Sequence, residues 1–275
     1  MPNPSIPGRL LVDPGDLELA RIDPGSTPGA GNRRKAEARM ARRQLRLEEL
    51  QARLYAERRR SVLVVLQGMD TSGKDGTIKH VIGAVNPQGV AITGFKAPTE
   101  QELRHDFLWR IRRRVPAPGF IGIFNRSHYE DVLVARVRGL AAPEEIERRY
   151  TAINRFEAGL SRNETTVVKL FLHISKEEQR RRLLARLEDP TKRWKFNPAD
   201  LDDRGRWDEY QAAYELALRR CSTEGAPWYA VPADHKWYRN VAVTEILVDV
   251  LARLDPRYPE PDLDVPALRA RLGAR

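Results

Sequence analysis

The sequence predicts an α/β fold built on a parallel sheet of about five strands. Three observations carry this. Five short apolar runs, at 61–66, 90–94, 120–124, 166–174 and 228–231, alternate with stretches of helical spacing at 74–85, 99–114, 128–138, 143–160, 175–189, 206–222 and 238–254; strands separated by helices pair in parallel. Two of those helix starts carry a capping-box pattern, Thr99 with Glu102 and Ser175 with Glu178. The length of 275 residues, 41% of them apolar, suffices to bury a core without disulfides or structural metal.

Taken in order, residues 1–31 repeat Pro-Gly pairs (14–15, 24–25, 28–29) and read as an extended arm, ordered at best in part. Residues 32–60 switch to a basic helical pattern with Leu47, Leu50 and Leu54 on one stripe. Its charged residues read first as a solvated face, with anion binding as the alternative. The helix can pack on its own domain or on another subunit, and a homo-oligomer is the expectation. Residues 61–254 hold the strand–helix alternation as one domain, and 255–275 open with a proline-rich turn and end in a short helix.

Lys and Arg number 48 against 38 Asp and Glu, a net charge of +10. That imbalance points to an anionic partner. A nucleic-acid-binding role is disfavoured, because aromatic stacking runs and zinc spacings are missing from the pattern. One cysteine, Cys221, excludes an internal disulfide. The longest clean apolar run, 62–66, is far short of a membrane span, and the N-terminus lacks a secretory apolar segment. A cytoplasmic setting without membrane contact follows as the expectation.

The first strand runs into Gly68-Met69-Asp70-Thr71-Ser72-Gly73-Lys74-Asp75-Gly76. This is G-x-x-x-x-G-K between a strand and a helix, the context a phosphate-binding loop requires. Gly68, Gly73 and Gly76 let backbone N–H groups converge on one anion, and Lys74 adds a mobile charge. The usual hydroxyl residue after the lysine is Asp75. A second carboxylate, Asp70, sits inside the loop. There it would repel phosphate unless a divalent cation lay between them, so Asp70 argues for Mg²⁺; its alternative is a turn-forming aspartate.

The third strand ends in Gly122-Ile123-Phe124-Asn125-Arg126-Ser127-His128-Tyr129-Glu130-Asp131. Together with the phosphate loop and the segments NPQGV, FKAPTEQEL, EDPTKRWKF and ADHKWYRN, this resembles the polyphosphate kinase 2 family over about residues 33–254. The resemblance implies a three-layer phosphate-loop kinase fold, related to thymidylate kinase, with a helical lid. It also implies Mg²⁺-dependent, reversible transfer of the terminal phosphoryl group of inorganic polyphosphate to a nucleotide, with Mn²⁺ as a substitute metal. HYED, rather than a WYNR-like version, resembles the subgroup that takes both AMP and ADP, with GMP and GDP as further candidates and ATP as a product.

By motif match, Asp70, Lys74, Asn125, Arg126 and Glu130 fall on the core of the active site. Lys74 and Arg126 would neutralise phosphates, and Asp70 and Glu130 would hold the metal, with Asp131 a further candidate ligand. Alternatives stay open for several: Ser127-x-x-Glu130 is also a capping box, Arg126 also suits a structural ion pair, and Asn125 also closes a strand. His128 reads as packing or hydrogen bonding. Lys96, after the second strand, is a candidate for the acceptor's phosphate or an exposed loop lysine.

Residues 175–205 contain the lid the resemblance implies. Arg186, Lys192 and Arg193 are its candidate phosphate contacts, while Arg181 and Arg182 read as solvated and Trp194 as packing within the lid. Lys236 and Arg239, after the last strand, are candidates for touching polyphosphate. The competing function is an ATP-dependent nucleoside monophosphate kinase on the same fold.

Overall fold

The computed structural model describes residues 5–273. In chain order its helices and strands are α1 (Ile6–Leu10), α2 (Arg33–Glu57), β1 (Ser61–Gln67), α3 (Lys74–His80), β2 (Val90–Gly94), α4 (Glu100–Leu103), α5 (Trp109–Arg112), β3 (Ile121–Asn125), α6 (Val134–Val137), α7 (Pro143–Arg162), β4 (Thr165–His173), α8 (Lys176–Glu188), α9 (Ala199–Gly205), α10 (Trp207–Cys221), β5 (Trp228–Pro232), α11 (Lys236–Leu254) and α12 (Val265–Gly273). Five parallel strands lie in the order β2-β3-β1-β4-β5.

β1 is buried along its whole length, and its alternate residues feed two cores. Leu63 and Val65 join Phe124 and Phe171 beneath α7 and α10. Val62, Val64 and Leu66 join Leu170 and Leu172 beneath α2 and α11. The stripe predicted on α2 is the buried one, with Leu47, Leu50 and Leu54 at most 1% exposed. Part of its basic face is also used within the chain: Arg39 and Arg43 each pair with Glu245 of α11 at 2.9 Å.

Two predicted helices are interrupted. The 99–114 pattern forms only α4 and α5, because Asp106 accepts the Leu108 N–H at 3.1 Å and starts a new turn. The 128–138 pattern begins as a 3₁₀ turn over His128–Asp131 before α6. The arm is more ordered than the sequence suggests. Of the expected 1–31 segment, 1–4 lie outside the described residues. Residues 5–31 bury Ile6 and Leu10 in one core and Val12, Leu17 and Leu19 in the other. Leu11 bridges Tyr229 of β5 in antiparallel sense, and the Val12 N–H donates to the Trp228 carbonyl at 2.9 Å. No helix among the described residues is long and apolar enough to cross a membrane.

Candidate active site

Parallel winding brings the C-terminal ends of β1, β3 and β4 to one edge, and the register sets Leu66 beside Asn125 and Leu170. β1 hands the chain to Gly68 at a φ of +148°. A Cβ there would lie 2.6 Å from the Leu172 carbonyl, so only glycine fits. Lys74 folds back over the loop, its Nζ donating to the Gly68 carbonyl at 2.6 Å and to Met69 at 3.3 Å. The hydroxyls of Thr71, Ser72 and Thr77 are buried without a hydrogen-bond partner. Buried polar groups are ordinarily satisfied, and of these three only Thr71 lines the cleft.

At the end of β3 the Asn125 amide donates to Asp75 at 2.9 Å. The next residue, Arg126, takes a left-handed φ of +62° while its N–H donates to the Leu66 carbonyl at 3.1 Å. This bend sends the guanidinium back to Asp70, Nη2 to Oδ1 at 2.7 Å. Ser127 caps the following turn through the N–H of Tyr129, at 3.2 Å, rather than that of Glu130. Four charges of alternating sign therefore meet. Burial pushes the Glu130 carboxyl up, Arg126 and Lys74 pull it down, and Asp70 raises it further, leaving it above the ordinary value. Burial would raise Asp70 as well, but Lys74 and Arg126 hold it below the ordinary value. Burial also lowers Lys74, a shift that Asp70 opposes.

The lid side closes the cleft with a carboxylate as well as cations. Arg186 Nη1 stands 3.9 Å from Asp200 of α9. Burial, followed by the nearby Asp70 charge, raises the Asp200 carboxyl to about 6. Lys195 Nζ reaches 3.8 Å from Asp75 across the cleft mouth. Arg239 is 2% exposed and lies under the phosphate loop, so that a Cβ on Gly73 (φ +109°) would meet its Nη1 at 1.7 Å. The resulting cleft has a volume of about 930 Å³, and cations outnumber carboxylates along its wall.

A model of the family described as polyphosphate kinase 2 (PPK2) matches residues 31–259. The chain belongs to the polyphosphate kinase 2 family. It is 53% identical over 249 residues, 90% of this chain and 93% of the relative, to the AMP/ADP-polyphosphate phosphotransferase of Meiothermus ruber. It is 45% identical to the ADP-polyphosphate phosphotransferase of Rhodopseudomonas palustris, over 82% of each chain. The crystal structure of polyphosphate kinase 2 from Arthrobacter aurescens TC1 superposes with a TM-score of 0.95 at 49% identity, covering 98% of this chain and 97% of that one. The fold is that of the phosphate-loop kinases.

Within this polyphosphate kinase 2 chain most of the site residues read from sequence come together. Asp70, Gly73, Lys74, Asp75, Gly76, Lys96, Asn125, Arg126, Arg186 and Lys192 line the cleft. Gly68 and Glu130 are not among the residues that line it. Two readings are corrected. Asp131 is held away from the cleft between Arg149 at 3.8 Å and Arg110 at 4.0 Å, which disfavours it as a metal ligand. Arg193 donates to the Leu187 carbonyl at 2.7 Å and does not line the cleft.

Two further residues depart from expectation. Trp194 keeps its lid contacts, its indole donating to the Thr191 carbonyl at 3.0 Å, but it is 77% exposed and also lines the cleft. Arg182 is not a solvated arginine, since its side chain is only 9% exposed and bonds to the phosphate loop. Asp200 was missed altogether, because no local pattern around it signals that α9 folds back toward Asp70.

Asp70 and Glu130 form the kind of donor set that Mg²⁺ takes, one or two carboxylates completed by phosphate oxygens and water. Burial first, with the Asp70 charge a lesser cause, raises Glu130, and a divalent cation bound there would favour its ionised form. Among the described residues no group of three or more His, Cys, Asp or Glu could hold a metal by itself.

Proposed function

We propose that this chain transfers the terminal phosphoryl group of inorganic polyphosphate to AMP and to ADP, reversibly and with Mg²⁺. The observation that carries this reading is the strip of cations beside the phosphate loop. Lys74, Lys192, Lys195 and Lys236 line the cleft, backed by the buried Arg239, while Arg182 is spent on the loop carbonyls. Such a strip suits a chain of repeating anions. The names of the Meiothermus ruber and Rhodopseudomonas palustris relatives support the same donor.

Phosphoryl transfer calls for positioning and charge neutralisation rather than a covalent nucleophile. Lys74 bridges the loop carbonyls and the phosphates above them. Arg126, oriented by Asp70, faces the transferring group. Mg²⁺ on Asp70 and Glu130 would supply further neutralisation of the phosphoryl oxygens when bound. The lid carries Arg186 and Lys192 toward the same centre and excludes water on closing. Lys96, which also lines the cleft, is the candidate for the acceptor's phosphate.

The test is direct. Purified protein with Mg²⁺ and long-chain polyphosphate is given AMP, ADP, GMP and GDP separately, and products are separated by ion exchange. ADP and ATP formation from AMP is expected. Inert polyphosphate of every length, with efficient AMP phosphorylation by ATP, would establish a nucleoside monophosphate kinase instead. Activity on ADP but not AMP would remove only the acceptor assignment.

A further inference from the structure

Beneath the turn that bears Arg126 and Glu130 lies a second polar cluster, walled off from the cleft. Lys169 of β4 is 0% exposed and Glu157 of α7 is 1% exposed. Lys169 Nζ donates to Glu157 Oε2 at 2.6 Å, to the Tyr129 hydroxyl at 3.0 Å, and to the carbonyl of Cys221 at the end of α10. The Tyr129 hydroxyl donates to Glu157 Oε1 at 2.9 Å, and His128 Nε2 lies 3.1 Å from that same oxygen. An ionised carboxylate only accepts, so this imidazole nitrogen carries the proton. Lys169 also stands over the rings of Tyr129 and Trp228, at 5.4 and 5.3 Å. Burial alone would raise the Glu157 carboxyl, but Lys169 and His128 bring it below its ordinary value, which favours the carboxylate.

Stability alone is a weak reason for this cluster. Two charges taken out of water are strongly penalised, and an apolar filling of the same volume holds such a layer as well or better. What the cluster adds is direction. Three of its bonds end on His128 or Tyr129, the residues set between Arg126 and Glu130. These four positions share one short bend, entered at a left-handed Arg126 and continued as a 3₁₀ turn. A shift of the Tyr129 ring therefore moves Arg126, which lines the cleft, together with Glu130.

We propose that Glu157 and Lys169 are positioning residues for phosphoryl transfer, fixing through His128 and Tyr129 the turn from which Arg126 and Glu130 act. Neither touches substrate. The inference rests on the phosphotransfer reading given above.

The experiment compares wild type with two variants on polyphosphate, Mg²⁺ and AMP. Glu157→Leu with Lys169→Met replaces the ionic pair by apolar volume and leaves no orphaned charge. Tyr129→Phe deletes one hydroxyl. The double variant is expected to keep its circular dichroism spectrum and a cooperative unfolding transition. Its kcat should fall at least fivefold with KM for polyphosphate and AMP within threefold, because a misplaced Arg126 is felt in the transition state. Tyr129→Phe should lose kcat at least threefold, again without a change in KM.

A folded double variant that keeps kcat within fivefold of wild type, or loses only in KM, overturns the proposal. Should the double variant fail to fold, Tyr129→Phe decides alone, and a kcat within threefold of wild type overturns it. Wild-type protein inert toward polyphosphate would instead sink the phosphotransfer reading, and the inference with it.

Discussion

Arg182→Met tests whether the lid helix holds the phosphate loop in shape. In the wild type, Nη1 donates to the carbonyls of Thr71 at 2.9 Å and Ser72 at 3.2 Å. Nη2 donates to Ala233 at 2.7 Å and Asp234 at 2.8 Å, while Nε donates to Glu178 at 2.7 Å. One guanidinium thus ties α8, the phosphate loop and the loop after β5 together. Burial first, opposed by Asp234, brings this guanidinium down to about 10.

Breaking a buried ion pair costs about 3–5 kcal/mol. Glu178 keeps Arg181 as a second partner, which offsets part of that cost. The net loss should therefore be about 2–4 kcal/mol. At a urea dependence of at most about 3 kcal/mol per molar, the unfolding midpoint should drop by roughly 1 M. A loop displaced by about 1 Å should lower kcat/KM by roughly 100-fold. Arg182→Lys keeps a charge but not the fork, so it should recover less than half of either loss. A midpoint shift below about 0.3 M, with kcat/KM unchanged, would refute the reasoning.

Four further outcomes are expected. Lys74→Ala and Asp70→Asn should each abolish transfer with an unchanged circular dichroism spectrum, since both act on a polar loop outside the two cores. Gly73→Ala should weaken polyphosphate binding and cost about 1–2 kcal/mol from its left-handed backbone alone, with Arg239 displaced in addition; Gly205→Ala, where nothing lies within 4 Å, is the control in the same denaturation assay. Glu157 is depressed in the fold, so the stability it contributes is complete above the unfolded value of 4.5 and is lost as pH falls through the lower folded value; acid unfolding of wild type should show this loss, and the Glu157→Leu/Lys169→Met protein should not. Lys192→Glu should raise KM for long polyphosphate more than for tripolyphosphate, measured at two salt concentrations to follow screening.

The strands were legible because each is a contiguous apolar run, and contiguity is what a sequence displays. Helix α2 was legible for a related reason, its leucines repeating at the helical period. The interruptions at Asp106 and at His128–Asp131 were not, because a single side-chain cap or a buried tyrosine outweighs several residues of helical spacing. The same division runs through the site. Asp70, Lys74, Asn125 and Arg126 sit within two short motifs and were readable from them. The setting of Arg182 depends on Thr71, 111 positions earlier, and on Ala233, 51 positions later. An arginine among arginines on a charged helix gives no local sign of which one is buried. Asp131 misled for the opposite reason, since adjacency to Glu130 in a motif says nothing about the arginines that flank it in space.

The antiparallel bridge between Leu11 and Tyr229 bears on handling the protein. It places the arm along β5, one of the two outer strands, where unpaired N–H and C=O groups would otherwise template pairing with another chain. The two margins of the sheet are therefore unequal: β5 is shielded, whereas β2 keeps Ile92 54% exposed on an open flank. Shortening the polypeptide to the 31–259 span of the family match would strip that shield and bare the apolar sites of Leu10, Val12 and Leu19. Aggregation of such a truncated protein would then report a lost edge guard rather than a failed fold, and an affinity tag placed ahead of residue 5 is the safer choice.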